Sequence, residues 1–322
     1  MTKKVECSQI GIFLIKTIYF VGVIHSIIMM LSFFIPTFRE ILYSFIFLGE
    51  NGKEFVELNQ RSPGLTSSGG DSLSVFQSTA FVFGIYYVIY YIKEISLLRL
   101  VIHLCFFVLL LFSILLSART GLILLILGIS LLLTFKLCSF LYTFRFIKST
   151  VKKSIVILLL MTIFIVLIYN IFIDSDYTRF TKRAFEIFTT YEQRGNLGTT
   201  STDKLREMYF LPNNERQLIY GNGNFGRDTS LELIESDVGY VRILFGSGAI
   251  GMVLFYLPII LIYLVLIKTT IKQNLFLPFT YVILMILVVN FKVLHLYSLN
   301  FGFKIFILLT SIIIYTNYFI KK

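Results

Sequence analysis

Cysteine and histidine are scarce in this chain, at three of each in 322 residues. Cys7, Cys105 and Cys138 lie far apart, two of them inside apolar runs, so neither a disulfide framework nor a metal site is expected. No histidine spacing suits a set of ligands, which leaves metal-centred chemistry and a bound cofactor outside the expectation. The ten-residue alternation of a membrane barrel is missing, and so is the fixed period of a repeat array.

Long apolar runs are what the sequence has instead. Hydrophobic residues make up 57% of it, with a mean hydropathy of +0.83. Runs at 10–35, 72–92, 97–117, 121–140, 154–173, 239–267, 275–291 and 303–320 are candidates to cross a bilayer, for which about 18 or more apolar residues suffice. Backbone polar groups in lipid must pair within their own segment, so such runs are helices. The expected fold is therefore all-α: one polytopic bundle over 1–322, with about eight transmembrane helices and external loops at 36–71 and 174–238. The first run lacks a small-residue cleavage site and is too long for a leader, so it reads as a retained anchor.

The net charge of +11 is a matter of topology. With the N-terminus inside, the cytoplasmic segments carry thirteen basic residues (Lys3 to Lys322) and two acidic ones, Glu6 and Glu94, which accounts for all of it. That is the positive-inside pattern, not a nucleic-acid surface, and it places both termini in the cytoplasm.

The outer face then holds two loops. In the first, residues 41–49 (ILYSFIFLG) are too short to span and read as interfacial or re-entrant. Turn-rich residues 61–70 follow, with Pro63, Gly64, Gly69 and Gly70. The second has 8 basic and 11 acidic residues. Its start carries an apolar stripe of Phe180, Ala184, Ile187, Phe188 and Tyr191 opposite Lys182, Arg183 and Glu186, which suits a surface helix or an ordinary packed one. Residues 195–203 read as a lid or as a linker.

Within the second loop, residues 221–226 (GNGNFG) match the dinucleotide fingerprint without its strand–turn–helix context, so no nucleotide is expected. Gly221 and Gly223 instead suit a tight turn that a ligand can approach closely. The small residues of 246–251 (GSGAIG) suit close helix packing.

Cationic side chains gather at this face from five segments: Arg61, Arg119, Arg242, Lys292 and Lys304. Arg119 sits in a very short turn between two spans, where it either snorkels to headgroups or points into the bundle. Asp237 and Arg242 at the mouth of one span form either a structural ion pair or part of a reactive site. Arginine forks suit phosphate oxygens, and lysine acts as a point charge. His25, His103 and Lys16 lie inside spans and are read as structural.

The order of RSPGL (61–65), SARTG (117–121), YGNGNFG (220–226), SDVGYVRILFGSGAIG (236–251) and NFKVLHLYSLN (290–300) resembles the Wzy-type polysaccharide polymerases of O-antigen and capsule synthesis, over roughly residues 55–300. The resemblance implies a multi-pass glycosyltransferase of the bacterial cytoplasmic membrane. Its substrates would be oligosaccharide repeat units on undecaprenyl diphosphate, joined at the outer face without a cofactor. Partners would be the bilayer and the flippase and chain-length regulator of the same pathway. By position, Arg61 and Arg119 match the family's substrate-binding arginines, and Arg242, Lys292, Lys304, Gly221 and Gly223 would help bind the substrate. Asp237 would be the base, with Glu235 second. It stands where the related O-antigen ligases have a histidine, which favours polymerase over ligase. Members commonly have more spans ahead of the arginine loop, so by this resemblance the chain is short at its N-terminus. The rivals are a flippase or transporter of lipid-linked sugars and a non-catalytic membrane subunit.

Overall fold

The structure is a computed structural model that describes residues 2–58, 61–67, 69–92, 96–143, 186, 190–192, 195, 198, 200–225, 234–294 and 300–321. Among these residues the ordered elements are all helices: α1 (Thr2–Phe34), α2 (Pro36–Phe45), α3 (Glu50–Glu57), α4 (Asp71–Tyr90), α5 (Leu97–Ser117), α6 (Thr120–Thr143), α7 (Thr200–Glu207), α8 (Glu215–Tyr220), α9 (Gly239–Lys272), α10 (Phe276–Val289) and α11 (Phe301–Lys321).

Among the described residues six stretches are long and apolar enough to cross a membrane: Gln9–Phe34, Asp71–Tyr90, Leu98–Ser117, Thr120–Leu137, Gly239–Lys272 and Phe301–Tyr318. This is a multi-span helical membrane protein. The expected span at 275–291 is the shorter helix Phe276–Val289. The expected span at 154–173 lies outside the described residues, as does most of the apolar stripe that begins at Phe180.

The chain divides into two compact units, each described by itself: Ile12–Thr189, and Met1–Gly11 with Thr190–Lys322. In the first, α4 is the central helix, packed on both α5 and α6. Small residues bring α1 against it: Gly22 faces Ala80, and Gly84 faces the ring of Tyr19, each where an added Cβ would collide. In lipid, where apolar burial gives no drive between helices, such close contact is what holds them together. The buried hydroxyls of α4 turn back on their own helix, Ser78 and Thr79 both donating to the carbonyl of Val75. Met29, Phe33, Leu73, Phe112 and Leu116 pack as one cluster where α1, α4 and α5 meet.

α1 ends where Ile35 turns extended and Pro36 starts α2, a position in which proline's missing N–H costs nothing. No residue of α2 is buried; Phe45 at its end and Phe47 just past it are 85% and 82% exposed. Of the two sequence expectations for this apolar stretch, the interfacial one fits a short surface helix.

In the second unit, α9 runs antiparallel to α10, and α11 packs on both. The sequence gives one apolar run at 239–267, and the structure adds a break in the helix within it. Gly248 has φ 66°, ψ −176°, which breaks the helix, and Pro258 lies further along. The break releases the carbonyls of Phe245 and Gly246. Both are taken up by the glycine turn after α8: the N–H groups of Asn222 and Gly223 donate to them at 2.8 Å each. Buried backbone groups must pair, and this loop supplies the partners.

Candidate functional site

The site of the first unit is built from two turns at one end of its bundle. The first begins at Arg61, whose backbone N–H donates to the carbonyl of Phe55 at 3.3 Å. Its guanidinium lies over the Phe55 ring, 4.1 Å from the centre. Ser62 then ties the turn to two helices. Its N–H donates to the Leu116 carbonyl in α5, while its hydroxyl bonds Ser32 at 2.7 Å and the Met29 carbonyl at 3.0 Å in α1. Gly64, at φ +58°, is required here: a Cβ would meet Met29 and His25 within 3 Å. The Leu65 N–H donates to Nε2 of His25 at 3.0 Å.

The second turn joins α5 to α6. Ala118 is extended, and the N–H groups of Gly121 and Leu122 close the turn onto the carbonyls of Ala118 and Arg119. Arg119 forms an ion pair with Glu186. Beside it the Thr120 hydroxyl donates to the carboxylate of Asp71, the first residue of α4. That bond locks the start of α4 to the start of α6.

Electrostatics bring the two turns into one site. Burial pulls the Arg61 guanidinium below its ordinary value, Asp71 pushes it back up, and the nearby charge of Arg119 pulls it down again. An arginine starts above about 12 and stays charged. The two guanidinium charges therefore act on each other, and the Asp71 carboxylate offsets part of the burial of Arg61. The Nε of Arg61 is buried and has no hydrogen-bond partner among the described residues. A charged donor left open in this way is suited to an anion with several oxygens, such as a phosphate or diphosphate.

The remaining sequence candidates belong to the second unit. Asp237 is half-buried, just ahead of Val238, the N-cap of α9. The Tyr240 N–H donates to the Asn290 carbonyl, and a Cβ on Gly239 would strike Asn290, Val293 and Leu294. The backbone stretch that carries Asp237 thus abuts the turn that carries Lys292. Arg242 is half-buried one turn into α9, and its Nε likewise has no hydrogen-bond partner among the described residues. Lys304 is exposed in the first turn of α11.

Gly221 and Gly223 do make the expected tight turn, at φ 74° and 83°. What approaches Gly221 is the protein's own backbone at Gly246, whereas the space at Gly223 is open. The small residues of 246–251 were expected to serve helix packing; Gly246 and Gly248 instead admit the loop, the former meeting Phe225 and the latter Ile219.

Sequence reasoning gave no role in the site to Asp71, Glu186, Thr120 or Phe55. Asp71 at the head of an apolar run looks like an ordinary first-turn acid that favours the helix dipole. Glu186 reads only as the polar side of a surface helix, Thr120 is one letter of SARTG (117–121), and Phe55 shows no motif. His103 is satisfied as expected, by the Tyr19 hydroxyl at 2.8 Å, but His25 turns out to hold a loop. Among the described residues no group of three or more His, Cys, Asp or Glu could hold a metal ion.

Comparison with family models, with curated proteins and with solved structures gives no match.

Proposed function

We propose that this membrane protein is a bacterial glycosyltransferase that polymerises undecaprenyl-diphosphate-linked oligosaccharide units into surface polysaccharide, at the outer face of the cytoplasmic membrane. The observation that carries the reading is the Arg61–Arg119 pair: two guanidinium groups from distant turns, held together at one bundle end, with a buried Nε left open. The motif resemblance supplies the substrate class.

In this reading the anomeric carbon of the growing glycan loses its bond to the diphosphate oxygen and gains one to an acceptor hydroxyl. The electron pair stays with the diphosphate, and the hydroxyl proton passes to a base. Charge builds on the leaving group through an oxocarbenium-like state. Fixed cations aimed at that charge contribute about 3–4 kcal/mol per donor in comparable sites, and in this reading Arg61 and Arg119 supply them. A base adds about 10²–10⁴-fold. Asp237 is the base proposed from the sequence, and Asp71, beside the arginines, is the carboxylate the geometry adds.

The test is complementation of a polymerase-null strain. Arg61→Ala and Arg119→Ala should each abolish long-chain glycan at equal protein level, and normal chain length from both would end the proposal. The broken helix α9 favours a second reading, since transporters build sites on interrupted helices near the midplane. A deletion strain separates the two. Lipid-linked units accumulating at the outer leaflet fit a polymerase, and units confined to the inner leaflet fit a flippase.

A further inference from the structure

His25 lies within the α1 span, yet both of its ring nitrogens are used by other segments. Nε2 is 3.0 Å from the Leu65 N–H, and Nδ1 is 2.8 Å from the end of the Gln77 side chain. The first bond fixes the tautomer: a nitrogen that accepts from a backbone N–H carries no proton, so the neutral ring holds its proton on Nδ1. Nδ1–H then needs an acceptor, and the Gln77 amide offers one when its carbonyl faces the ring. Its NH2 is then turned to Ser26, whose hydroxyl lies 3.2 Å from the far end of the same amide. Ser26 in turn meets Ser113 of α5 at 2.9 Å. One imidazole is thus braced by α4 and α5 on one side and presents a single lone pair to the loop on the other.

We infer that His25 is a positioning residue that clasps the 61–65 turn through Nε2 and thereby holds Arg61 in place. Three observations converge on it. The Leu65 N–H has His25 as its partner at 3.0 Å, in a part-buried bond. Gly64 presses its bare Cα against the same ring, where a Cβ would stand 2.8 Å from Nε2. Ser62, between Arg61 and this clasp, is anchored to α1 one turn further along, at Met29 and Ser32. The turn is therefore held at three successive points, and the Arg61 N–H closes the series on Phe55. The consequence for anion capture rests on the proposed role of Arg61; the clasp itself does not.

The experiment uses the full chain in lipid nanodiscs and three substitutions with different hydrogen-bonding reach. His25→Gln carries an oxygen to the place of Nε2. His25→Asn keeps a group near Nδ1 for Gln77 but cannot reach Leu65. His25→Leu removes both. Hydrogen exchange resolved to single amides should quicken at least tenfold at Leu65 and Arg61 in His25→Leu and His25→Asn, and stay near wild type in His25→Gln. Should His25→Leu fail to fold, His25→Asn against His25→Gln carries the comparison. Unchanged exchange at Leu65, or faster exchange at Leu65 with Arg61 unaffected, overturns the inference. Inorganic diphosphate binding is read in parallel. Affinity should fall about tenfold in His25→Asn, and His25→Asn combined with Arg61→Ala should bind no more weakly than Arg61→Ala alone. If Arg61→Ala binds diphosphate as the wild type does, the anion-grip reading falls, and the exchange data still decide the clasp.

Discussion

Thr120 donates its hydroxyl proton to Asp71, so the first residue of one span is locked to the first residue of another. Asp71 is also the carboxylate that offsets the burial of Arg61. The same group therefore sets both the geometry and the charge of the two-arginine site.

Neutralising that carboxylate should strengthen anion capture. Asp71→Asn keeps an oxygen for Thr120 but removes a negative charge beside two guanidinium groups. Inorganic diphosphate should bind several-fold more tightly to it at low ionic strength, and the gain should shrink as salt rises. Titration calorimetry at two salt concentrations reads this directly; weaker binding would place Asp71 on the side of substrate recognition.

Glu186 holds Arg119 in an ion pair whose side chains are 22% and 23% exposed. A part-buried pair with one shared contact contributes on the order of 1 kcal/mol to stability. Glu186→Gln should leave the unfolding midpoint within a few degrees of wild type, while diphosphate, no longer competing with a carboxylate for Arg119, binds more tightly.

The ring beneath Arg61 should matter for its face and not for its bulk. Cation–π contacts are worth about 0.5–2 kcal/mol. Phe55→Leu should weaken Arg61-dependent diphosphate binding by about 3- to 30-fold, and Phe55→Tyr should preserve it.

Two glycines with positive φ should respond differently to a methyl group. Gly248→Ala adds left-handed strain and drives Cβ to 2.2 Å from the Ile219 carbonyl oxygen, where backbone must move. Gly223→Ala meets open space and pays only the strain, about 1 kcal/mol. Thermal unfolding in detergent should show a large loss for the first and a small one for the second.

The chain contains no tryptophan, so Phe47→Trp creates a single fluorescent reporter at an 82% exposed position. Aromatic rings of this kind settle at the membrane interface. Its emission should be blue-shifted in nanodiscs and quenched by lipids brominated near the headgroup. Emission typical of water would remove the interfacial reading of residues 41–49.

Much of the scaffold is legible without coordinates. The Gln9–Phe34, Asp71–Tyr90, Leu98–Ser117 and Thr120–Leu137 helices fall within a few residues of the apolar runs that announce them. The break in α9 does not show in hydropathy, because Gly248 interrupts geometry without interrupting composition. Arg61 and Arg119 are conspicuous as cations between apolar runs. Asp71 and Phe55 escape notice because a first-turn acid and a loop aromatic are ordinary wherever they occur.

Composition alone thus determined that this is a helical membrane protein and where the six long apolar helices of the described residues run, because bilayer thickness and unpaired backbone act on each segment separately. Which charges meet was left to the tertiary fold. Arg61 lies over Phe55 and feels the charges of Asp71 and Arg119, while Ser62 grips α1 and α5 and His25 clasps Leu65. Those contacts join residues far apart in the chain, and no local pattern encodes them.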